Sequence, residues 1–365
     1  MTDHAFVRPA VWQVALATLM MLTPPAQADP PVYPNHHNLM QLVSRDGHVQ
    51  PIRSLAGWRA RRRHVLESFQ QATGPLPQPS RRVPLDVRIH ETTAVDGLTR
   101  LKLTYQADKT GRVAAYLFLP RRTVPPRRLP AVLCLQQTQR LGKLEPAGLA
   151  GNGELAHALH LAKRGYVTLA PDYPGFGDSQ YDFTARHGYQ SGTMKAIWNN
   201  IRAVDLLATL KTVDPQRIGV IGHSLGGHNA IFTAVFESRL RVVVTNSGFS
   251  TFQKDDVPSW TGPRYMPLIR TRYGNDPNRV PFDFPELLGA IAPRALLVIA
   301  PKRDRDFDYS GVLDAVDAAR PVFQLHGAGA SLQVRFPDIS HSFPASSRRE
   351  ADRFLDRHLA DESAP

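Results

Sequence analysis

The chain has 365 residues, a formal net charge of +12, 42% hydrophobic and 21% charged residues, and one cysteine. That length and apolar content fit one large α/β domain with an appendage, or two modest domains, and exclude disorder over most of the chain. A lone cysteine excludes an internal disulfide, and Cys134, inside the apolar run 131–136, reads as a buried thiol.

The N-terminus begins with a short head carrying Arg8, then an apolar stretch from Val11 to Leu22, then Ala26-Gln27-Ala28. This is the form of a cleaved secretory signal, residues 1–28. The apolar run is shorter than the ~20 residues that span a bilayer. The expectation is therefore export, periplasmic or secreted, with cleavage near Ala28 and no integral membrane segment afterwards. Asp3 and Arg8 leave together, so the +12 survives cleavage. The arginine runs at 59–64 and 120–128 carry no interleaved aromatics and no nucleic-acid motif. They read as solvated faces, and no nucleic-acid partner is expected.

After a Pro- and His-rich lead at 29–38, read as flexible, residues 54–73 carry Leu55, Trp58, Val65, Leu66 and Phe69 on one helical face. A Pro- and Gly-containing break follows. Residues 85–120 read as three strands, the first two joined by a hairpin turn at Asp96-Gly97. From 131 onward, buried β-branched runs alternate with helices. Strands are predicted at 131–136, 166–173, 217–223, 241–248, 294–300 and 332–338. Helices are predicted at 153–164, 193–212 (stopped by Asp214-Pro215), 226–238, 310–319 and 346–359. Such alternation implies a mostly parallel sheet covered by helices on both faces, preceded by a small helix-plus-hairpin region.

Residues 217–230, RIGVIGHSLGGHNA, put Gly222-x-Ser224-x-Gly226-Gly227 between a predicted strand and a predicted helix. A nucleophile at such a turn needs a strained backbone and tiny neighbours, which the glycines supply. The same turn aims the Leu225 backbone N–H where an oxyanion would be stabilised. Serine needs a base, and the base an orienting carboxylate, each beyond a later strand in the order Ser, acid, His. His341, after the strand at 332–338, is the candidate base. Asp304, Asp306 and Asp308 follow the strand at 294–300; Asp304 comes soonest, with Asp306 its rival. His223 and His228 flank the elbow without a carboxylate or cysteine to complete a ligand set. There is no H-E-x-x-H, paired C-x-x-C, P-loop or dinucleotide fingerprint, so neither metal nor cofactor is expected.

The stretches LPAVLCLQQT, GYVTLAPDYPGFGDS, VDPQRIGVIGHSLGGHNA, IAPRALLVIAPKRD and FPDISHSFP span roughly 130–345. Together they resemble the α/β-hydrolases, in the branch of dienelactone hydrolases and acetyl xylan esterases. The resemblance implies Ser224 as nucleophile, His341 as base and Asp304 as acid, with Leu225 giving one oxyanion N–H and Gln137 or Thr138 the other. Many relatives carry histidine where this chain has Gln136, whose amide can still hydrogen-bond and brace the loop. The implied organisation is a signal at 1–28, an N-terminal extension at 29–120 packing on the core, and a catalytic domain at 121–365. An aromatic-rich insertion near 249–285, carrying Trp260, Tyr265, Tyr273, Phe282 and Phe284, would form a lid or substrate wall.

The resemblance implies hydrolysis of small or carbohydrate-borne acyl esters through an acyl-enzyme. Two rival readings are a peptidase or thioesterase of the same fold, and a non-catalytic binding member. Peptidases of this type usually carry a large gating domain, and 29–120 is too short for a propeller. The sequence leaves the oligomeric state open.

Overall fold

The computed structural model describes residues 1–2, 29–121, 128–184 and 187–359. The signal-like segment 3–28 and the proline-rich connector 122–127 lie outside the described residues.

After the lead the chain forms a small antiparallel hairpin, β1 (Gln41–Val43) with β2 (Val49–Pro51), which the sequence pattern did not announce. Ser54 then caps α1 (Leu55–Thr73), its side chain accepting from the Gly57 N–H. Trp58, Val65, Phe69 and Ala72 form its buried stripe. The lead is pinned rather than flexible: His36 bonds the Glu286 carboxylate at 2.9 Å and the Val280 carbonyl at 3.1 Å.

Three antiparallel strands follow, β3 (Arg88–Val95), β4 (Leu98–Asp108) and β5 (Gly111–Pro120). Asp96 and Gly97 both have positive φ, 47° and 77°, as a two-residue hairpin turn that matches strand twist requires. The chain then alternates: β6 (Leu129–Leu135), α2 (His157–Lys163), β7 (Val167–Pro171), α3 (Gly192–Thr209), β8 (Val213–His223), α4 (Leu225–Phe236) and β9 (Leu240–Asn246). It continues with α5 (Pro267–Tyr273), α6 (Phe284–Ile291), β10 (Ala295–Ile299), α7 (Tyr309–Leu325), β11 (Leu332–Arg335) and α8 (Ala345–Leu359). The nine strands β3–β11 form one sheet in the order β11-β10-β9-β8-β6-β7-β5-β4-β3, parallel from β7 to β11.

The period-2 pattern sends alternate residues of the central strands to opposite faces. Val132, Cys134, Val242, Val244 and Leu297 pack under Leu161 of α2 and Leu355 of α8. Leu133, Val243, Leu296 and Val298 pack with Phe69 of α1, Val204 of α3, Phe232 of α4 and Phe323 of α7. Cys134 is fully buried as expected, and burial pushes its thiol pKa up.

Several boundaries differ from the sequence pattern, two of them at prolines. α3 ends at Thr209, and Asp214-Pro215 belong to the irregular start of β8, where pairing with β6 shifts register. α7 runs through Pro321 to Leu325. What positions the site is the switch at β6, flanked by β7 on one side and β8 on the other. Loops leaving the C-terminal ends of such strands diverge and open a crevice.

Candidate active site

Ser224 stands between β8 and α4 with φ 54° and ψ −121°. A non-glycine residue there is strained and persists only where its surroundings over-determine it. A Cβ on Gly226 would lie 2.3 Å from the Leu135 carbonyl oxygen, and one on Gly222 would lie 2.2 Å from Gly226 itself. Strand, turn and helix can approach only because both are glycine. The Ser224 carbonyl accepts from Gly227 N–H at 2.8 Å, starting α4, while its N–H donates to the Asn246 carbonyl at 3.0 Å. Its side chain caps nothing and keeps partial exposure among buried neighbours. The geometry is that of a nucleophile elbow.

His341 lies in the loop after β11 and Asp304 in the loop after β10. The structure brings them together: His341 Nδ1 is 2.9 and 3.0 Å from the two Asp304 carboxylate oxygens. The Asp304 side chain is 1% exposed, and its Oδ1 also accepts the Asp306 and Phe307 N–H groups at 2.9 and 3.2 Å. Burial pushes the Asp304 pKa up, but the His341 bond and the two amides outweigh it and leave the group below its ordinary value. Asp306 is 64% exposed and stands 3.5 Å from the other imidazole nitrogen, Nε2. Asp308 does different work, capping α7 through Ser310 N–H. Among the described residues Ser224 Oγ makes no hydrogen bond to His341; such bonds are often long before substrate arrives.

Asn246, which nothing in its strand-like stretch singles out, ties these pieces together. Its carbonyl holds Ser224 N–H, and its buried side-chain amide donates to His223 Nδ1 at 2.6 Å and to the Ser342 carbonyl at 3.0 Å. The elbow and the histidine loop therefore share one clamp. The His223 ring lies 4.6 Å from the His341 ring. Burial and that neighbour push its pKa down to about 3, so it stays neutral and accepts from Asn246. His228 bonds the Gly248 carbonyl and packs on Trp260.

Among the described residues, neither the Leu225 nor the Gln137 backbone N–H has an acceptor, which leaves both free for an oxyanion. The Gln137 side chain donates to Glu145 at 3.0 Å, and Thr138 Oγ1 meets the Tyr265 hydroxyl at 3.2 Å. Gln136 does not use its capacity to hydrogen-bond the loop. Its buried amide has no partner and faces a small internal cavity beside Asn199 and Asn229, so it does not brace the loop directly. In the 249–285 excursion, Trp260, Phe282 and Phe284 are buried in the main core, and Tyr265 reaches the oxyanion loop. One group among the described residues is compact enough to hold a cation. It is Asp304, Asp306 and His341, with ligand atoms within 4.8 Å of one another.

Strand order, elbow and the acid and histidine loops together define an α/β-hydrolase fold, as the sequence resemblance implied. Residues 154–361, more than half of the chain, match the model of the prolyl oligopeptidase family. The chain belongs to that family. It is similar to 4-O-methyl-glucuronoyl methylesterase 1 of Sodiomyces alcalophilus, 27% identical over 162 residues, which are 39% of this chain and 32% of that protein. The chain thus spans about a third of that relative's length. A glucuronoyl esterase from Solibacter usitatus superposes with TM-score 0.66 at 18% identity, covering 91% of this chain and 99% of the other. An acetyl xylan esterase from Paenibacillus sp. R4 superposes with TM-score 0.52 at 18% identity, covering 76% and 90%. No helix among the described residues is long and apolar enough to cross a membrane.

Proposed function

We propose that the chain is an exported serine hydrolase that cleaves carboxylic esters borne on carbohydrates. Ser224 is the nucleophile, His341 the general base and Asp304 the orienting acid, in a catalytic region 121–365 whose sheet is continued by the strands of the extension 29–120. The observation that carries this reading is the buried, amide-held Asp304 carboxylate on His341 Nδ1, in a fold that also holds Ser224 at positive φ. His341 takes the Ser224 proton as Oγ attacks the ester carbonyl, and Asp304 stabilises the imidazolium that forms. Leu225 and Gln137 N–H groups receive the oxyanion, each donor worth about 10²–10³ in rate. The alcohol departs, and water releases the acyl group by the same route. The esterase names of the relative and of both structural neighbours support the ester class. The export proposal rests on the signal-like segment.

Treatment of the purified protein with a fluorophosphonate is expected to add a single mass increment that Ser224→Ala abolishes. An unlabelled, well-folded wild type would overturn the hydrolase reading. The family name favours a second arm in the substrate panel, a prolyl peptide amide. A higher kcat/KM on that amide than on any ester would replace esterase by peptidase.

Asn246→Ala is expected to slow both labelling and kcat by about 10- to 100-fold, because the clamp that sets elbow against histidine loop is lost. Comparison of kcat with KM checks it: a change confined to KM would contradict a positioning role.

A further inference from the structure

Beside the oxyanion loop lies a cleft of about 510 Å³, within the size range of small-ligand sites. Three segments wall it: Thr138 to Arg140 after β6, Gly175 to Gly177 after β7, and Arg264 from the excursion at 249–285. The Arg264 guanidinium carbon stands 4.2 Å from the Phe176 ring centroid. Its seat is rigid. The Arg264 carbonyl accepts the Tyr173 hydroxyl at 2.7 Å, and a Cβ on Gly192 would come within 2.0 Å of the same oxygen. Arg264 Nε is buried without a hydrogen-bond partner, and neither Arg264 nor Arg140 forms an ion pair among the described residues.

Two acidic groups of the neighbouring loops are engaged elsewhere. Asp172 is held by Lys143 Nζ at 2.7 Å and by two backbone amides, and Asp178 by Lys143 and Lys102. The cleft is thus a concave wall lined by two arginines without an ion pair among the described residues, one of them with its guanidinium over an aromatic ring. That is the chemistry that recognises planar or tetrahedral oxyanions through paired N–H donors. It also touches the proposed reaction centre. Phe176 packs with Leu225 and Tyr173 in one apolar cluster against Tyr265, and Tyr265 bonds Thr138.

We propose that this cleft is an anion subsite, in which Arg264, with Arg140 at the rim, binds a carboxylate or sulfate group on the sugar that carries the scissile ester. This rests on the ester-hydrolase reading and narrows its substrate class to acidic saccharides. Lysine would supply the charge without the planar fork.

The test compares kcat/KM for three matched acetylated methyl glycosides: a glucoside, a glucuronide and a 6-sulfated glucoside. The wild type is expected to prefer the anionic esters, and the larger of the two preferences names the group. In Arg264→Gln the anionic-over-neutral ratio is expected to fall by about 10- to 100-fold, mainly through KM. Arg140→Gln lowers it less, and Arg264→Lys recovers it in part. Arg320→Gln, a charge removed from α7, leaves the ratio alone. An unchanged ratio in both Arg264→Gln and Arg140→Gln overturns the subsite; if Arg264→Gln does not fold, Arg140→Gln decides alone. Titration of sodium glucuronate, with glucose as the neutral control, into Ser224→Ala and Ser224→Ala/Arg264→Gln separates the two readings. Arg264-dependent binding, together with a wild type that cleaves no ester, sustains the subsite and removes the hydrolase. Ester turnover without such binding or preference does the reverse.

Discussion

Replacing Asp304 by asparagine is expected to lower kcat by about 10⁴-fold in a protein that still folds, while Asp306→Asn changes it little. The two carboxylates face opposite nitrogens of one imidazole. Asp304 contacts Nδ1 from a site 1% exposed, held by two backbone N–H groups and kept ionised by its partners. Only a carboxylate on Nδ1 fixes the tautomer that leaves Nε2 free to take the serine proton, and stabilises the cation that results. Asp306, 64% exposed at 3.5 Å from Nε2, lies on the wrong nitrogen for that task, and solvent weakens its pull. Steady-state kinetics on one ester, with thermal unfolding as the control for folding, checks the pair. A large loss in Asp306→Asn with Asp304→Asn near wild type would move the acid to Asp306.

How far this site is legible in the sequence follows from how local each signal is. The elbow is written in five consecutive residues, since Gly222 and Gly226 answer a contact between adjoining strand, turn and helix. The hairpin at Asp96-Gly97 is equally local, both residues needing positive φ. Strands such as β6 and β10 show through short apolar runs because they are buried on both faces. The proposed base and acid, His341 and Asp304, are findable because fold topology fixes their order, though preferring Asp304 to Asp306 needs burial, which spacing does not encode. Asn246 and Arg264 carry no local mark. Asn246 sits in a strand that looks like its neighbours, and Arg264 acquires meaning only when Phe176 arrives beneath it from another loop. β1 and β2, three residues each, are too short for periodicity to register. The lead looked unanchored because the carboxylate that holds His36 lies 250 residues away in sequence.

That carboxylate supports the largest expected effect on stability. Glu286→Ala should destabilise the protein by about 3–5 kcal/mol, measured by denaturant unfolding. Arg61 and Glu286 are each 1% exposed and paired, and the Arg61 guanidinium rests 3.1 Å from the Tyr33 ring centroid. The second Glu286 oxygen takes His36 Nδ1 at 2.9 Å and the Asp283 N–H at 3.0 Å, completing the capping box of α6. One side chain thus fastens the lead, α1 and α6, and its loss strands a buried guanidinium. The double variant Glu286→Ala/Arg61→Met should recover part of the loss, because the uncompensated charge goes with it. pH supplies an independent reading. Burial lowers the His36 pKa, but Glu286 outweighs it and leaves the group above its ordinary 6.5. A raised pKa stabilises fully below about pH 6.5 and fades as pH rises through the folded-state value. Wild-type stability should therefore carry a His36-dependent decline above that pH, which Glu286→Gln flattens by removing the partner charge. The effect reaches the site as well. α6 presents Phe284 to Trp260, Trp260 packs on Phe307, and Phe307 lies 6.0 Å from the His341 ring. Fluorophosphonate labelling of Glu286→Ala should consequently fail at a lower temperature than in the wild type, in step with its unfolding curve.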